Sequence, residues 1–356
     1  MTKILLDTLG LDKGFKEVIK AGVNSLLEND NLEICFLGDE KNIKDELKTY
    51  EKKFEKKCGK KLFENIKIIN APTEISCNDI PTKAIKEKID SSLVVGFNEL
   101  KNGYDALISG GSTGAVLTGG FLKIGRIKGV SRPALCPMLP TIAGGKVMLI
   151  DCGANVDSKP NNLCDYALMA DIYLKSVMGI KNPKIALLNI GVEENKGNEL
   201  TKETFKLLKQ MPINFVGNLE AREFLSGDAD VVITDAFSGN VLLKGTEGAI
   251  SMVLKMLKTE IKNSFVCKIG ALLMKKAFKH LKGKFKTDNY GGSILLGLKN
   301  TLIKVHGSSS HIAIEVAIKQ AIDIKKNKVL EKFEEEFSKQ IENNLKDNVW
   351  WKNLKK

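Results

Sequence analysis

Six stretches of this chain place glycine beside amides, hydroxyls, carboxylates or a lysine, five of them immediately after a short apolar run. The first, Gly110-Gly111-Ser112-Thr113-Gly114-Ala115, follows Ala106 to Ser109 and opens a helical stretch reaching about Gly125. Glycines let backbone N–H groups approach an anion, and a helix N-terminus favours negative charge, with Ser112 or Thr113 as cap. A glycine turn between strand and helix is also an ordinary structural device. This one is neither a Gly-x-Gly-x-x-Gly fingerprint nor a Gly-Lys-Ser/Thr loop. The second, Asp151-Cys152-Gly153-Ala154-Asn155-Val156-Asp157, offers Asn155 as an amide between two carboxylates. Those carboxylates could orient polar partners or a metal, or Asp157 could simply cap the next helix while Asp151 closes the strand.

The third stretch, Gly191 to Asn198, carries Lys196, a natural counter-charge for an anion, although a lysine beside Glu193 and Glu194 is also a common solvated surface feature. Thr234-Asp235-Ala236-Phe237-Ser238-Gly239-Asn240 repeats the construction, with Asn240 placed to donate to an oxyanion as well as to cap a helix. Asn289-Tyr290-Gly291-Gly292 and Val305-His306-Gly307-Ser308-Ser309-Ser310 complete the set. His306 invites a general-base role, yet a lone histidine at a strand end is often structural. Neither Ser112 nor Ser308 stands in a Gly-x-Ser-x-Gly elbow, so a covalent nucleophile has no specific support. Turns of this kind on successive strands converge on one sheet edge, and the chemistry they favour is binding a small anion.

The elements that must position these turns read as alternating strand and helix. Apolar runs at Lys3 to Asp7, Leu32 to Leu37, Ile66 to Ile69, Ala106 to Ser109, Val147 to Asp151, Ile185 to Ile190, Ile213 to Val216 and Val231 to Thr234 predict buried parallel strands. Helical spacing lies between them, at Phe15 to Leu27, Thr82 to Leu100, Leu163 to Met178 and Leu200 to Leu208. That order predicts an α/β fold with a mostly parallel, Rossmann-like sheet covered on both faces, and ligands then collect beyond the carboxyl ends of the strands. No linker or repeat divides the chain, so residues 1–330 read as a single α/β domain, followed by a helical tail over 331–356. From just before the tail into it, Val329, Phe333, Phe337, Ile341 and Leu345 fall three or four apart, a stripe for packing on the body or a partner.

The 356 residues are 43% hydrophobic and 28% charged, which suits a folded globular protein. Seven scattered cysteines without a Cys-x-x-Cys pair fit a reducing compartment, and no leader or spanning segment is legible, so a cytoplasmic location is expected. The net charge of +12 is concentrated: from Lys255 to Lys286 ten lysines face one acid, Glu260. Aromatics are only 6% and do not alternate with the basic residues, which argues against nucleic acid as partner. Between the lysines stand Phe265, Val266, Ile269, Leu272, Leu273, Met274, Phe278 and Leu281, so residues 255–287 read as a protruding basic amphipathic hairpin. Lys268, Leu272, Leu273, Lys275, Lys276 and Phe278 are its candidate contacts with an anionic membrane, an acidic protein or a second copy.

Taken in order, the motifs resemble the bacterial acyl-[acyl-carrier-protein]:phosphate acyltransferases of phospholipid synthesis. The likeness spans the chain. It rests on Gly125-Arg126-Ile127-Lys128-Gly129 with Arg132-Pro133-Ala134, on Asp151 to Asp157 with Lys159-Pro160, and on Lys196-Gly197-Asn198-Glu199-Leu200-Thr201-Lys202. It continues through Phe215-Val216-Gly217-Asn218 with Glu220-Ala221-Arg222, Thr234-Asp235 with Gly239-Asn240, Asn289 to Gly292 and His306-Gly307-Ser308-Ser309. Leu11 stands where the family has glycine, and Ser112 where it has asparagine. The resemblance implies a three-layer αβα sandwich, a homodimer and peripheral membrane association, with no organic cofactor. It also implies transfer of a fatty acyl group from acyl carrier protein to inorganic phosphate, giving an acyl phosphate for a downstream glycerol-3-phosphate acyltransferase.

On that implied reaction Lys196 neutralises phosphate and Asn240 donates to the developing oxyanion. Gly111, Ser112, Thr113, Gly114 and Asn155 complete the anion cradle, Asp235 orients Asn240 or Lys196, and Asp157, Asn198, Ser238, His306 and Ser308 are further members. The alternatives are a coenzyme A-dependent phosphate acetyl- or butyryltransferase, and a weakly active paralogue that binds acyl carriers or scaffolds membrane enzymes.

Overall fold

The computed structural model describes residues 1–58, 61–155, 157–284 and 291–347. Among them run twelve strands: β1 Thr2–Asp7, β2 Leu32–Gly38, β3 Ile66–Asn70, β4 Ala106–Ser109, β5 Ala134–Cys136, β6 Met138–Pro140, β7 Lys146–Ile150, β8 Ile185–Asn189, β9 Phe215–Glu220, β10 Val231–Ile233, β11 Ser293–Leu296 and β12 Thr301–Lys304. They form two sheets instead of the one expected. The larger has the order β3-β2-β1-β4-β12-β11-β5 and the smaller β6-β7-β10-β8-β9. Only β11 and β6 run antiparallel to their neighbours, so the mostly parallel α/β reading stands.

Burial explains why the apolar runs are strands. Ile4 and Leu6 of β1 point with Ile34 and Phe36 of β2 toward Val18 and Ile19 of the helix Phe15–Glu28 and Ala317 and Ile318 of the helix His311–Lys326. Leu5, Cys35 and Leu107 point the other way, onto Leu93, Val94 and Phe97 of the helix Ser92–Lys101. The smaller sheet behaves likewise: Met148, Ile150, Leu187 and Ile233 face Tyr166 and Phe205, while Val147, Leu149 and Val232 face Leu219 and Phe224. These central strands are thus apolar on both faces, as a covered parallel sheet requires. The helix-facing sides of both sheets share one continuous core cluster.

The segment Ala134–Pro140 joins the sheets. Its first half, β5, pairs with β11, and its second half, β6, pairs with β7. Across the seam Leu149 N–H donates to the Pro137 carbonyl (3.1 Å) and Cys152 N–H to the Leu135 carbonyl (3.0 Å).

Some expectations are corrected. The helix expected over Thr82 to Leu100 is two, Pro81–Glu87 and Ser92–Lys101, because the Ser91 hydroxyl caps the second one by accepting from Val94 N–H. The basic hairpin is three helices, Ala236–Asn263, Phe265–Leu273 and Lys275–Lys284, and the first begins at the β10 loop instead of near Lys255. Only Ala236 and Gly239 of that long helix are buried. The tail stripe packs on the body: Val329, Phe333 and Phe337 of the helix Val329–Asp347 are almost fully buried. Residues 348–356, together with Val156 and the expected turn at Asn289 and Tyr290, lie outside the described residues.

Candidate active site

At the carboxyl edge of the smaller sheet, Asp151 follows β7 and is fully buried. Its carboxylate accepts from the N–H groups of Leu135, Ala154 and Asn155, each at 3.0 Å, and from Asn155 Nδ2 at 2.9 Å. Burial raises its pKa and these four donors oppose the rise. The result is a tightly wound loop whose backbone is held by one side chain. Asn155 Nδ2 also donates to the Pro133 carbonyl (2.6 Å) and the Tyr166 hydroxyl (3.0 Å). Its amide nitrogen is therefore spent on the scaffold, and Asn155 positions the loop instead of meeting an anion through that group. Asp157 is exposed and does not cap the following helix, which starts at Pro160 with Lys159 before it.

Next to this loop the helix Ala236–Asn263 begins. Asp235 caps it by accepting from Ser238 N–H at 2.9 Å. Gly239 lies so close to the loop that a Cβ on it would fall 2.0 Å from the Asp151 carbonyl oxygen. That approach brings Asn240 beside Gly153, where a Cβ would meet Asn240 Nδ2 at 3.6 Å. Among the described residues the Asn240 amide has no hydrogen-bond partner, in contrast to Asn155. It is a free donor one turn into a long helix that Asp235 caps, so Asn240 is not the cap expected of it.

The loop after β8, which neighbours β10, holds Lys196. Its stem packs over Gly191, with Cγ at 3.1 Å from where a Cβ would stand, and the residue is exposed. Asn189 Nδ2 donates to the Lys196 carbonyl (3.2 Å), which fixes the backbone beneath it. Asn198 is spent as a helix cap, accepting from Thr201 N–H at 2.9 Å.

The remaining expected residues lie on the larger sheet, at the ends of β4 and β12. Gly111 is buried and its N–H turns inward to Ser109 Oγ (3.0 Å), so it does not line the expected cradle. Ser112 precedes the helix Thr113–Gly119 and makes no side-chain capping bond. The first-turn N–H groups of Thr113, Gly114 and Ala115 have no partner within their own helix. The first loop, after β1, closes on this turn: a Cβ on Gly10 would lie 2.4 Å from Gly111 Cα, and Leu11 covers Gly110. His306 and Ser308 are exposed and bonded to each other, Nδ1 to Oγ 2.8 Å. The two edges meet at Ala154, which packs against the cluster containing Ala115 and Val116.

Reading by motif missed Asp7, Ser109 and Lys304, the buried last residues of β1, β4 and β12. The one available signal was a lysine inside the apolar run Leu302-Ile303-Lys304-Val305. Burial pushes the Asp7 carboxyl up to about 6 and the Lys304 amine down to about 8. Among the described residues no group of three or more His, Cys, Asp or Glu side chains is placed to hold a metal ion.

The model of the fatty acid synthesis protein family matches residues 2–332. The chain belongs to that family. Among its relatives is the phosphate acyltransferase of Clostridium novyi (strain NT), 45% identical over 331 residues that cover 93% of this chain and 97% of that one. The phosphate acyltransferase of Clostridioides difficile (strain 630) is 41% identical over 343 residues, 96% of this chain and 98% of the other. The family's likeness noted from the motifs therefore holds over nearly the whole chain. Among solved structures, a phosphotransacetylase from Streptococcus pyogenes superposes with a TM-score of 0.58 at 17% identity, over 91% of this chain and 94% of that chain. At that identity the likeness is one of fold.

Proposed function

We propose that the protein transfers a fatty acyl group from the thioester of acyl carrier protein to inorganic phosphate. A phosphate oxygen attacks the thioester carbonyl carbon, the carbonyl becomes an oxyanion, and the C–S bond breaks. The products are acyl phosphate and a thiolate that takes up a proton. Phosphate is a competent nucleophile near neutral pH and a thiolate leaves readily, so the protein contributes position and charge stabilisation. The observation that carries the reading is the uncommitted Asn240 amide, held beside Gly153 by the contact of Gly239 with Asp151. Asn240 donates to the oxyanion, Lys196 neutralises phosphate, and the first turn of the helix after Ser112 completes the anion site. Asp235 and Ser238 hold Asn240 through the cap, Asn198 holds the Lys196 loop, and His306 and Ser308 border the site. The names of the family relatives support the phosphate acceptor.

The test is acyl phosphate formation by Lys196→Ala and Asn240→Ala, with donors of several chain lengths on acyl carrier protein and on coenzyme A. Each folded variant loses about 10²-fold or more in turnover. Near-wild-type turnover in both ends the assignment, and preference for coenzyme A thioesters moves the donor to the small carrier.

The basic helices extend the reading to a surface. Phe265, Val266, Leu272 and Leu273 are 69–82% exposed. Lys268, Lys275 and Lys276 are exposed beside them, with half-buried Phe278. Scattered exposed apolar residues are ordinary, but a contiguous patch of this kind marks a contact surface. No described helix is long and apolar enough to cross a membrane. The patch suits peripheral contact with anionic lipid, where an acyl phosphate would be consumed by a glycerol-3-phosphate acyltransferase. A homodimer contact along the helix Ala236–Asn263 is compatible with the same arrangement.

A further inference from the structure

Under the turn Gly110–Ser112 lie polar groups that acyl transfer does not use. Asp7, Ser109 and Lys304 end three adjacent parallel strands, with Ser109 in register with Lys304 and β1 paired on the other side of β4. Lys304 is only 9% exposed, and its ammonium donates to the Gly110 carbonyl (3.1 Å) and to the Val305 carbonyl. From the opposite side Asp7 accepts the Ser109 hydroxyl proton (2.6 Å), and Ser109 Oγ accepts Gly111 N–H (3.0 Å).

The Gly110 carbonyl and the Gly111 N–H belong to one peptide unit. That unit is planar and turns as a body. With glycine on both sides its rotation is little hindered, and any turn of the unit would shift the Ser112–Thr113 backbone that follows it. Lys304 holds its oxygen and Ser109 holds its nitrogen, so both ends are pinned.

We propose that Lys304 and the Asp7–Ser109 pair are positioning residues for phosphate: they clamp the Gly110–Gly111 peptide at the base of the turn from both ends, and the Lys304 charge supports the anion above the turn. The inference rests on the reading that this turn belongs to the phosphate site. A charged donor holds a carbonyl more strongly than a neutral one, so the clamp weakens when Lys304 loses its proton. Burial brings that loss down to about pH 8, against the pull of Asp7 at the end of β1, Asp12 in the following loop and Cys77 in the loop before Pro81–Glu87. Glu74 faces Asp7, and His306 stands two residues after Lys304.

The experiment is calorimetric titration of the full chain with inorganic phosphate at pH 8.0 and 9.5, alongside turnover. Phosphate is mostly dianionic throughout this range and ordinary lysines keep their protons until about pH 10. With Lys304 titrating near 8, the wild-type Kd weakens about tenfold or more across the range. Lys304→Met binds about tenfold more weakly at pH 8.0 and shows no further alkaline loss. A flat wild-type profile, or a folded Lys304→Met with the wild-type profile, overturns the clamp. Ser109→Ala, which keeps the charge and frees only the N–H end, binds phosphate more weakly but retains the alkaline loss; unchanged affinity there also overturns it. A wild type that binds phosphate with this profile yet forms no acyl phosphate sinks the acyl-transfer reading and leaves the clamp standing. Acyl phosphate formation with a flat phosphate profile does the reverse.

Discussion

Replacing Gly239 with alanine tests the contact that places Asn240. The new carbon would stand 2.0 Å from the Asp151 carbonyl oxygen and 2.8 Å from Thr234 Cγ2. Carbon and oxygen approach no closer than about 3.3 Å, so about 1.3 Å must be recovered by moving one backbone from the other. The Asp151 loop resists, because its carboxylate is tied to Leu135, Ala154 and Asn155. The helix start must therefore give way, taking Asn240 with it. Overpacking of this kind costs about 1–3 kcal/mol of stability, and a displacement of about 1 Å at a catalytic donor costs on the order of 10²-fold in rate. Gly239→Ala should thus unfold at lower urea and release thiol from an acyl thioester about 10²-fold more slowly in saturating phosphate. A folded Gly239→Ala with more than half the wild-type turnover would refute the placement of Asn240 as the oxyanion donor.

Three further outcomes follow from other parts of the molecule. Phe337→Ala, emptying a site that is 1% exposed, costs about 3–5 kcal/mol in urea unfolding, and a loss below 1 kcal/mol would mean that the tail is not part of the core. Burial pushes the Asp165 carboxyl up to about 6, so its favourable contribution is full below its unfolded pKa near 3.9 and is lost as pH rises through 6. The stability of wild type relative to Asp165→Asn should therefore improve by about 2 kcal/mol between pH 7 and pH 4, and a constant difference would contradict the sign. Leu272→Asp with Leu273→Asp, at positions 69% and 82% exposed, should leave the fold intact and abolish flotation with anionic vesicles; undiminished flotation moves the lipid contact elsewhere.

Much of the α/β frame was legible because parallel strands covered on both faces are apolar at every position. Ile4 to Leu6, Ile34 to Leu37 and Val147 to Ile150 carry that signature. The division into two sheets was not legible. It depends on β5, β6, β11 and β12, strands of three or four residues whose pairing is decided by partners far away in the chain. The break after Glu87 escaped notice because Lys88 to Ser91 keeps helical spacing while the Ser91 cap ends it. For the site, the residue types and loops pointed to strand ends, but side-chain direction is a tertiary fact. Asn155 and Asn240 look alike in sequence, yet one is enclosed by three acceptors and the other is free. The role of Lys304 is not legible in the sequence because a lysine in a strand usually faces water, and only the side-by-side pairing of β1, β4 and β12 encloses it.

The segment Ala134–Pro140 has a mechanical consequence. Enzymes that close by hinge rotation swing two bodies about a few residues left free to change their dihedrals. Here the crossing residues are themselves hydrogen-bonded into both ladders, and Leu135 additionally grips Asp151 from across the seam. Opening the halves like jaws would tear those ladders, so any widening between them has to come from local rearrangement of strand-end loops while the frame beneath them stays fixed.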